Sequence, residues 1–406
     1  MTSFLQLILT LTIIVAVAKA AGYLSIRLGQ PAVLGELLAG LLLGPTVLNM
    51  LGWPFFSDAH LGDSIKHLAE IGVLFLMFVA GLEVDLEGML RSGRVAALSG
   101  VLGVVAPAIL GWVAALLFGF GTEAGLFIGL MLTPTSVSIS AQTLMELGVL
   151  RSLEGVTLLG AAVVDDILAI LLLSVFIALT GGGGGGAASI LWVVGKMSLY
   201  LALALVAGIW LIPRLTRWVE QLPISEGVMA LVVVMALFYG WAAEVLGGMA
   251  AITGTFLAGL FFARTPLHEY ISRGMHTLTY AWLVPVFFVS IGLEANARAM
   301  GVGDSLFMLV LILVAVLSKV LGSGVGARLA GFDNRQALRL GVGMVSRGEV
   351  GLIVASLGLE AGLISEGVFA SVVIMVLATT LLTPLMLRVL YPGVTPPGKT
   401  ASASSS

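Results

Sequence analysis

The chain has 406 residues, of which 59% are hydrophobic and only 10% are charged, and its formal net charge is -3. Soluble domains carry about 25% charged residues, so this composition excludes a water-soluble fold. Long continuous apolar segments exclude a transmembrane β-barrel, in which apolar and polar residues alternate along each strand. The sequence contains no cysteine, so disulfide bonds and thiolate metal sites are excluded as well.

Apolar segments long enough to cross a bilayer, about 20 residues each, are separated by Gly, Pro and charged residues. They predict an all-α polytopic membrane protein with thirteen spans, the first retained rather than cleaved as a signal peptide. The spans are expected at 4–26, 31–51, 65–84, 93–119, 123–146, 153–180, 189–212, 226–244, 247–263, 275–293, 304–328, 335–358 and 366–390.

Lysine and arginine are distributed unevenly between the two sets of predicted loops. Loops after odd-numbered spans, counted with the span ends that border them and with the C-terminal tail, contain thirteen of the nineteen. The other loops, with their bordering span ends, contain two, and the remaining four lie elsewhere within the spans. Cytoplasmic loops carry the excess of cationic residues. The sequence therefore predicts a multi-pass protein of a bacterial or archaeal-type inner membrane, with its N-terminus outside and its C-terminus in the cytoplasm.

Two stretches of the chain resemble each other. Leu34–Leu41 parallels Thr253–Leu260 at an offset of 219, and Gly81–Glu83 parallels Gly292–Glu294 at an offset of 211. Spans 2–6 and 9–13 are then two copies of a five-helix unit. Because five is odd, the copies enter the membrane from opposite sides, which gives the inverted repeat typical of secondary transporters.

Five ionisable side chains fall deep inside predicted spans. Asp165 and Asp166 lie near the middle of span 6, Lys319 near the middle of span 11, and Arg347 and Glu349 near the middle of span 12. A charge at the bilayer centre costs about 2.5–3.5 kcal/mol on insertion scales. A salt bridge between helices explains any single one of them. Three acids and two bases at one depth indicate a functional site.

Consecutive residues on a helix project about 100° apart, so Asp165 and Asp166 cannot face one partner. One carboxylate can face a water-filled cavity and bind Na+ or H+ in turn, while its neighbour is held by a cation inside the protein. Carboxylate oxygens suit a hard ion such as Na+. Competition between proton and cation for one carboxylate is sufficient for exchange.

Span 5 is interrupted at its middle by Thr133–Ser136, which has the sequence TPTS. Pro134 removes a backbone donor and disfavours helical geometry at Thr133, which frees carbonyl groups that can coordinate a cation. Thr133 and Ser136 are therefore candidate ion-binding residues beside the two aspartates.

Span 12 is interrupted at the corresponding place by Ser346–Glu349, which has the sequence SRGE. Two interrupted helices at corresponding positions are typical of a transport site. Where they cross, the half-helix ends carry partial charges. Arg347 near the C-terminal ends, and Glu349 or Asp166 near the N-terminal ends, would compensate these charges.

Together these motifs resemble those of bacterial Na+/H+ antiporters of the NapA type and of the related Kef-type K+/H+ exchangers. The resemblance covers residues 1–390 and implies an NhaA/NapA-like fold with two crossed broken helices, in a homodimer within the lipid bilayer. It implies that Asp166 carries the ion and the proton, that Asp165 pairs with Lys319, and that Thr133 assists at the unwound stretch. A lysine paired in this way is a candidate second proton carrier, and the alternative is a purely structural salt bridge with one-for-one exchange.

The resemblance also implies a domain organisation. A dimerisation (scaffold) domain of 1–92 and 221–300 and an elevator-like translocating core of 93–180 and 301–390 are joined by a linker helix at 181–220. Residues 391–406 are expected to form a disordered tail. Kef-type exchangers usually carry Gln-Asp in place of the aspartate pair and append a nucleotide-binding domain, and this sequence has neither feature. The difference favours Na+ or Li+ over K+.

Three other functions are alternatives to cation/proton exchange. A Na+-coupled organic-anion symporter would need a larger polar cavity with several side-chain amides, yet Gln142 is one of very few amides within the spans. A channel would need rings of charge around a pore, and the inverted repeat argues against it. No metalloprotease or serine-hydrolase motif occurs, so the chain is not expected to be an enzyme. No cofactor and no nucleic-acid partner are expected.

Overall fold

The computed structural model describes residues 1–28, 30–83, 92–180, 187–293 and 305–392. Within these ranges the regular elements are all helical, which confirms the predicted all-α fold. The described α-helices are α1 (Ser3–Arg27), α2 (Ala32–Leu43), α3 (Leu61–Glu83), α4 (Gly93–Leu117), α5 (Thr122–Met131), α6 (Val137–Glu146), α7 (Leu153–Thr180), α8 (Ala187–Trp210), α9 (Ile212–Glu220), α10 (Gly227–Ala242), α11 (Ala251–Phe262), α12 (His268–Leu278), α13 (Val284–Leu293), α14 (Ser305–Leu329), α15 (Asn334–Gly343), α16 (Glu349–Glu360) and α17 (Glu366–Leu390).

Nine helical segments of the described chain are long and apolar enough to cross a membrane, by length and composition. They correspond to predicted spans 1, 3, 4, 6, 7, 8, 10, 11 and 13. Predicted spans 2, 5, 9 and 12 contain shorter apolar helices of 10–17 residues instead. Spans 5 and 12 are each divided in two, into α5 and α6 and into α15 and α16. The protein is therefore a multi-pass membrane protein, and the count of thirteen spans stays a prediction.

The predicted repeat is present in the helix bounds. α4 and α14 both have 25 residues, and each bound of α14 is the α4 bound plus 212 (93 to 305, 117 to 329). The same offset relates α5 to α15 (122 to 334, 131 to 343). α2 and α11 both have 12 residues at the offset of 219 (32 to 251, 43 to 262). The interruption thus falls at the same place in both copies.

Glycines at equivalent positions bring one copy against the other. A Cβ atom at Gly40 in α2 would overlap the carbonyl oxygen of Val289 in α13. A Cβ atom at Gly259, the equivalent position in α11, would overlap the carbonyl oxygen of Phe78 in α3. Small residues let membrane helices approach this closely. The short helix of each copy therefore packs on a helix of the other copy.

The described residues form two compact units. The first comprises Met1–Ala69, Ser92–Asp165 and the described part of Pro285–Ser406, and the second comprises the described part of Glu70–Arg91 and Asp166–Val284. In α7 the boundary falls between Asp165 and Asp166.

Some predicted features lie at or beyond the edge of the described chain. Residues 181–186, at the start of the predicted linker, and most of the predicted tail lie outside the described residues. Tyr391, the first residue of that tail, is buried, and the guanidinium carbon of Arg339 lies 4.1 Å from the centre of its ring. The division into dimerisation and core domains stays a prediction.

Candidate functional site

Asp165 and Lys319 form an ion pair inside the first unit. Lys319 Nζ, on α14, donates to Asp165 Oδ1, on α7, at 2.5 Å, and both side chains are fully buried. Asp165 also interacts electrostatically with Arg347. One buried carboxylate therefore faces two cations. Because a buried charge is tolerated only with partners, the three side chains depend on each other.

Asp166, the next residue of α7, has a different partner within the second unit. Its Oδ2 accepts a hydrogen bond of 3.0 Å from Thr253 Oγ1 on α11. Asp166 is 7% exposed and Thr253 is 3% exposed. The two aspartates thus differ in these contacts, with an ammonium bonded to Asp165 and a hydroxyl bonded to Asp166, and their separate roles in transport stay a prediction.

The sequence analysis did not identify Thr253 as a site residue. It used this threonine only as one position of the repeat, where the first copy has Leu34. A hydroxyl replacing an apolar side chain in a buried apolar helix was the available signal. Threonine is nevertheless common in membrane helices, where it bonds to its own backbone, so the substitution alone does not reveal its partner.

The two interrupted helices are joined to each other at their breaks. The break between α5 and α6 includes Ser136, and the break between α15 and α16 includes Ser346. The backbone N–H of Ser136 donates to the carbonyl of Ser346 at 2.9 Å, and the hydroxyl of Ser346 donates to the carbonyl of Ser136 at 2.6 Å. The two predicted interruptions therefore cross. At the crossing, groups of each break form hydrogen bonds with backbone groups that the interrupted helix of the other leaves unpaired.

Side-chain hydroxyls near the crossing bond to the end of α15. Ser140 Oγ donates to the carbonyl of Gly343 at 2.5 Å and lies 3.0 Å from Ser346 Oγ. Thr135 Oγ1 donates to the carbonyl of Met344 at 3.5 Å. These contacts satisfy carbonyl groups that a helix leaves unpaired at its C-terminal end.

Thr133 and Ser136, the two predicted ion ligands of span 5, are both buried. Thr133 Oγ1 donates to the carbonyl of Leu130 in the last turn of α5 at 2.9 Å. Ser136 Oγ lies 3.1 Å from Ser138 Oγ. Their hydroxyl oxygens have the chemistry of hard-cation ligands, and their role as ion ligands stays a prediction.

Arg347 is fully buried in the break between α15 and α16. Its guanidinium donates to the carbonyls of Met344 and Val345 at 3.3 and 2.9 Å, and to the carbonyl of Ala315 in α14 at 3.4 Å. A cation beside these carbonyls opposes the negative end of the α15 dipole. Glu349 begins α16, but its side chain lies outside the described residues, and its predicted compensating role stays a prediction.

Two further carboxylates lie at the C-terminal end of α6 and on α2. Glu36 is 4% exposed and accepts a bond from Lys19 at 3.3 Å. Glu146, at the end of α6, accepts from the backbone N–H groups of Ala32 and Val33 at the start of α2. The carboxylate of Glu146 therefore caps the N-terminus of α2, a contact that the sequence analysis did not predict.

A profile of the family described as sodium/hydrogen exchanger, transmembrane, matches residues 12–391. The chain belongs to this family. Members of the family are membrane transporters, and the inverted repeat with crossed, interrupted helices described above is the arrangement expected of secondary transporters.

Named relatives agree with the family assignment. The chain is 39% identical to the Na+/H+-K+ antiporter GerN of Bacillus cereus, over 93% of this chain and 94% of that protein. It is 35% identical to a Na+/H+ antiporter of Enterococcus hirae, over 93% of this chain and 96% of that protein.

The fold matches that of a solved structure. The sodium proton antiporter MjNhaP1 of Methanocaldococcus jannaschii superposes with a TM-score of 0.68 and 16% sequence identity, over 97% of this chain and 100% of that one. This likeness concerns the fold.

Proposed function

We propose that this chain exchanges Na+ or Li+ for H+ across the cell's inner membrane, with Asp166 as the carrier of both ions. The observation that carries the proposal is the difference between the partners of two consecutive aspartates. Asp165 is bonded to the ammonium group of Lys319, whereas Asp166 is bonded to the hydroxyl of Thr253. A hydroxyl oxygen can remain a ligand when a hard cation binds the carboxylate.

The curated relatives support the choice of ion. The protein of Enterococcus hirae is named a Na+/H+ antiporter and aligns with almost the whole of this chain. If this chain has the same activity, the carboxylate of Asp166 must bind a proton and a cation in turn. Na+ and H+ are then the transported ions, and exchange needs no bound cofactor.

A second candidate ion is K+. The name of GerN, which is 39% identical to this chain, includes K+ beside Na+ and H+. Exchange of K+ for H+ would use the same carboxylate, because it needs one titratable oxygen site and no second mechanism. The two possibilities differ only in which cation drives proton movement.

The inverted repeat supports alternating access, which we propose occurs by an elevator-type movement within a homodimer. In this proposal residues 1–92 and 221–300 form the dimer scaffold, and residues 93–180 and 301–390 carry the ion. The N-terminus lies outside and the C-terminus in the cytoplasm. Chemical crosslinking of purified protein in lipid nanodiscs tests the dimer, and a purely monomeric species would contradict it.

The test of the function is exchange by the purified full chain in proteoliposomes that contain a pH-sensitive dye. We expect an inward gradient of NaCl or LiCl to raise the internal pH, because each entering cation drives protons out. A symporter that carries H+ with the cation would lower it. KCl in the same assay decides whether K+ is also a substrate.

Asp166→Asn is the matched variant for this assay. The amide cannot bind and release a proton in this pH range, and it lacks the charge that attracts a dehydrated cation. We expect a folded protein without cation-driven proton flux. Cation-driven flux above the background of empty liposomes in this variant would remove Asp166 from the carrier role.

A further inference from the structure

The most extensive contact between two described helices of the first unit joins α4 to α14. This contact is called the seam below. A Cβ atom at Gly326 would overlap the carbonyl of Leu98, and a Cβ atom at Gly322 would overlap the carbonyl of Leu102. The residue number rises along one helix as it falls along the other, so the two helices run antiparallel. At this distance the backbones touch, and few side chains fit between them.

Two serines in this seam are fully buried. Ser99 lies on α4 and Ser323 on α14, and each is 0% exposed. Within the described residues, neither hydroxyl has a hydrogen-bond partner. Other buried hydroxyls of these membrane helices bond to their own backbone, such as Ser318 to Ala315 and Thr383 to Thr379. Ser99 and Ser323 are therefore unusual, because a buried hydroxyl is normally satisfied.

Ser323 lies close to the ammonium group of the buried ion pair. Lys319 and Ser323 are four residues apart on α14, so they share one face of the helix. A Cβ atom at Gly103 on α4 would overlap Ser323 Oγ and would lie 3.8 Å from Lys319 Nζ. Ser323 Oγ and Lys319 Nζ lie 2.3 and 3.8 Å from this one point, so they are at most about 6 Å apart, which is within the reach of a single bridging water molecule.

Two more buried oxygen atoms without a hydrogen-bond partner among the described residues, Asp165 Oδ2 and Ser99 Oγ, belong to the same region. Asp165 Oδ2, the second oxygen of the carboxylate bonded to Lys319, is also buried without a hydrogen-bond partner in the described residues. In the other direction, Ser99 lies nearer than Ser323 to the end of the seam. Ser99 follows the first residue of α4, Gly93, by six positions, which is about 9 Å along the helix axis.

We propose that Ser323 and Ser99, with water bound between them, form a proton path from the Asp165–Lys319 pair to the end of the seam that carries Arg94 and Arg328. The path deepens the proposed exchange and rests on it, since it serves a proton released from Lys319. The ammonium of Lys319 donates a proton to the bridging water. Each water molecule and each hydroxyl along the path then accepts one proton and donates its original proton to the next group. Lys319 is left neutral, and the water and hydroxyls end as they began.

Gly103 is a positioning residue in this path. Its lack of a side chain leaves room for the Ser323 hydroxyl beside the Lys319 ammonium. A methyl group at position 103 would displace the hydroxyl without removing it. Gly103→Ala is therefore expected to slow proton transfer as Ser323→Ala does.

The test compares Ser323→Ala with Ser318→Ala in the proteoliposome assay. Ser318 precedes Lys319 on the same helix, is fully buried, and bonds to its own backbone, so it is the matched control. We expect Ser323→Ala to lower the maximal rate of exchange about tenfold or more. The Na+ concentration for half-maximal rate should not change. The loss should be greatest at high pH, where the return of a proton to Lys319 along the same path is limited by the low proton concentration. Ser318→Ala should exchange at the wild-type rate.

The folding control is the melting temperature in detergent. Ser323 Oγ has no hydrogen-bond partner among the described protein groups, so the melting temperature of Ser323→Ala should stay close to the wild-type value. The path is wrong if the wild type exchanges and Ser323→Ala matches Ser318→Ala in rate and pH profile. It is also wrong if the rate falls with a lowered melting temperature and an unchanged pH profile. Absence of exchange in the wild type would instead contradict the proposed function.

Discussion

Thr253 donates its hydroxyl hydrogen to Asp166 across 3.0 Å, in a contact between residues 87 positions apart. The donor is neutral, and an oxygen of the same hydroxyl can also bind a cation. A cation bound by the carboxylate of Asp166 would have this hydroxyl oxygen beside it as a further ligand. The pair therefore has the composition of a small site for a hard monovalent cation.

Thr253→Val keeps the shape of the side chain and removes this oxygen. We expect the Na+ concentration for half-maximal exchange to rise about tenfold, which corresponds to about 1.4 kcal/mol of lost binding free energy, while the maximal rate changes less. Thr253→Ser retains the hydroxyl and should keep the wild-type affinity. Equal Na+ affinities for the valine variant and the wild type would show that Thr253 is not a ligand.

Acidification should weaken the apparent Na+ affinity. Proton and cation occupy one carboxylate, so a lower pH leaves fewer deprotonated sites for Na+. Below the pKa of the carrier the half-saturating Na+ concentration should rise by up to about tenfold per pH unit. Exchange rates at a series of Na+ concentrations and pH values measure this dependence. An affinity that is constant with pH would contradict a shared site.

Arg347→Gln should destabilise the protein. The substitution removes the charge that bonds to carbonyls at the end of α15 and interacts with Asp165, and loss of one member of a buried charge pair costs about 3–5 kcal/mol. We expect a melting temperature in detergent several degrees below the wild type, together with slower exchange. Arg335→Gln, at an exposed arginine in the first turn of α15, should melt like the wild type.

Lys319→Gln tests whether exchange moves net charge. If Lys319 releases a proton in each cycle beside the one carried by Asp166, two H+ leave for one Na+. One net charge then crosses the membrane, and transport is coupled to the potential at about 2.3 kcal/mol per 100 mV. A Na+ jump on a solid-supported membrane should give a transient current with the wild type. Lys319→Gln should lose this current and keep some exchange. An active wild type without current would reduce Lys319 to a structural partner of Asp165.

The sequence predicted the parts of the fold that depend on local composition. Apolar length predicted the helices, and Pro134 and Gly348 marked the two interruptions. The pairing of Asp165 with Lys319 came from the resemblance to known antiporters, because no rule of spacing joins residues 154 positions apart. Periodicity alone would not have paired them.

The contacts that the sequence did not predict join residues that are far apart in the chain and belong to types common in membrane helices. Thr253 resembles any membrane threonine until Asp166 is placed beside it. Glu146 looks like a charged residue at a span end, yet its carboxylate caps α2 through Ala32 and Val33. Both contacts depend on how helices pack, which a single sequence does not specify.

The reciprocal bonds between Ser136 and Ser346 have a consequence for biogenesis. The two residues are 210 positions apart, so at 5–20 residues per second the ribosome needs about 10–40 s to synthesise the second after the first. During that interval the break between α5 and α6 lacks its backbone partner in a membrane that offers no substitute. We expect the first copy to stay incompletely assembled in the bilayer until the second copy has been inserted beside it.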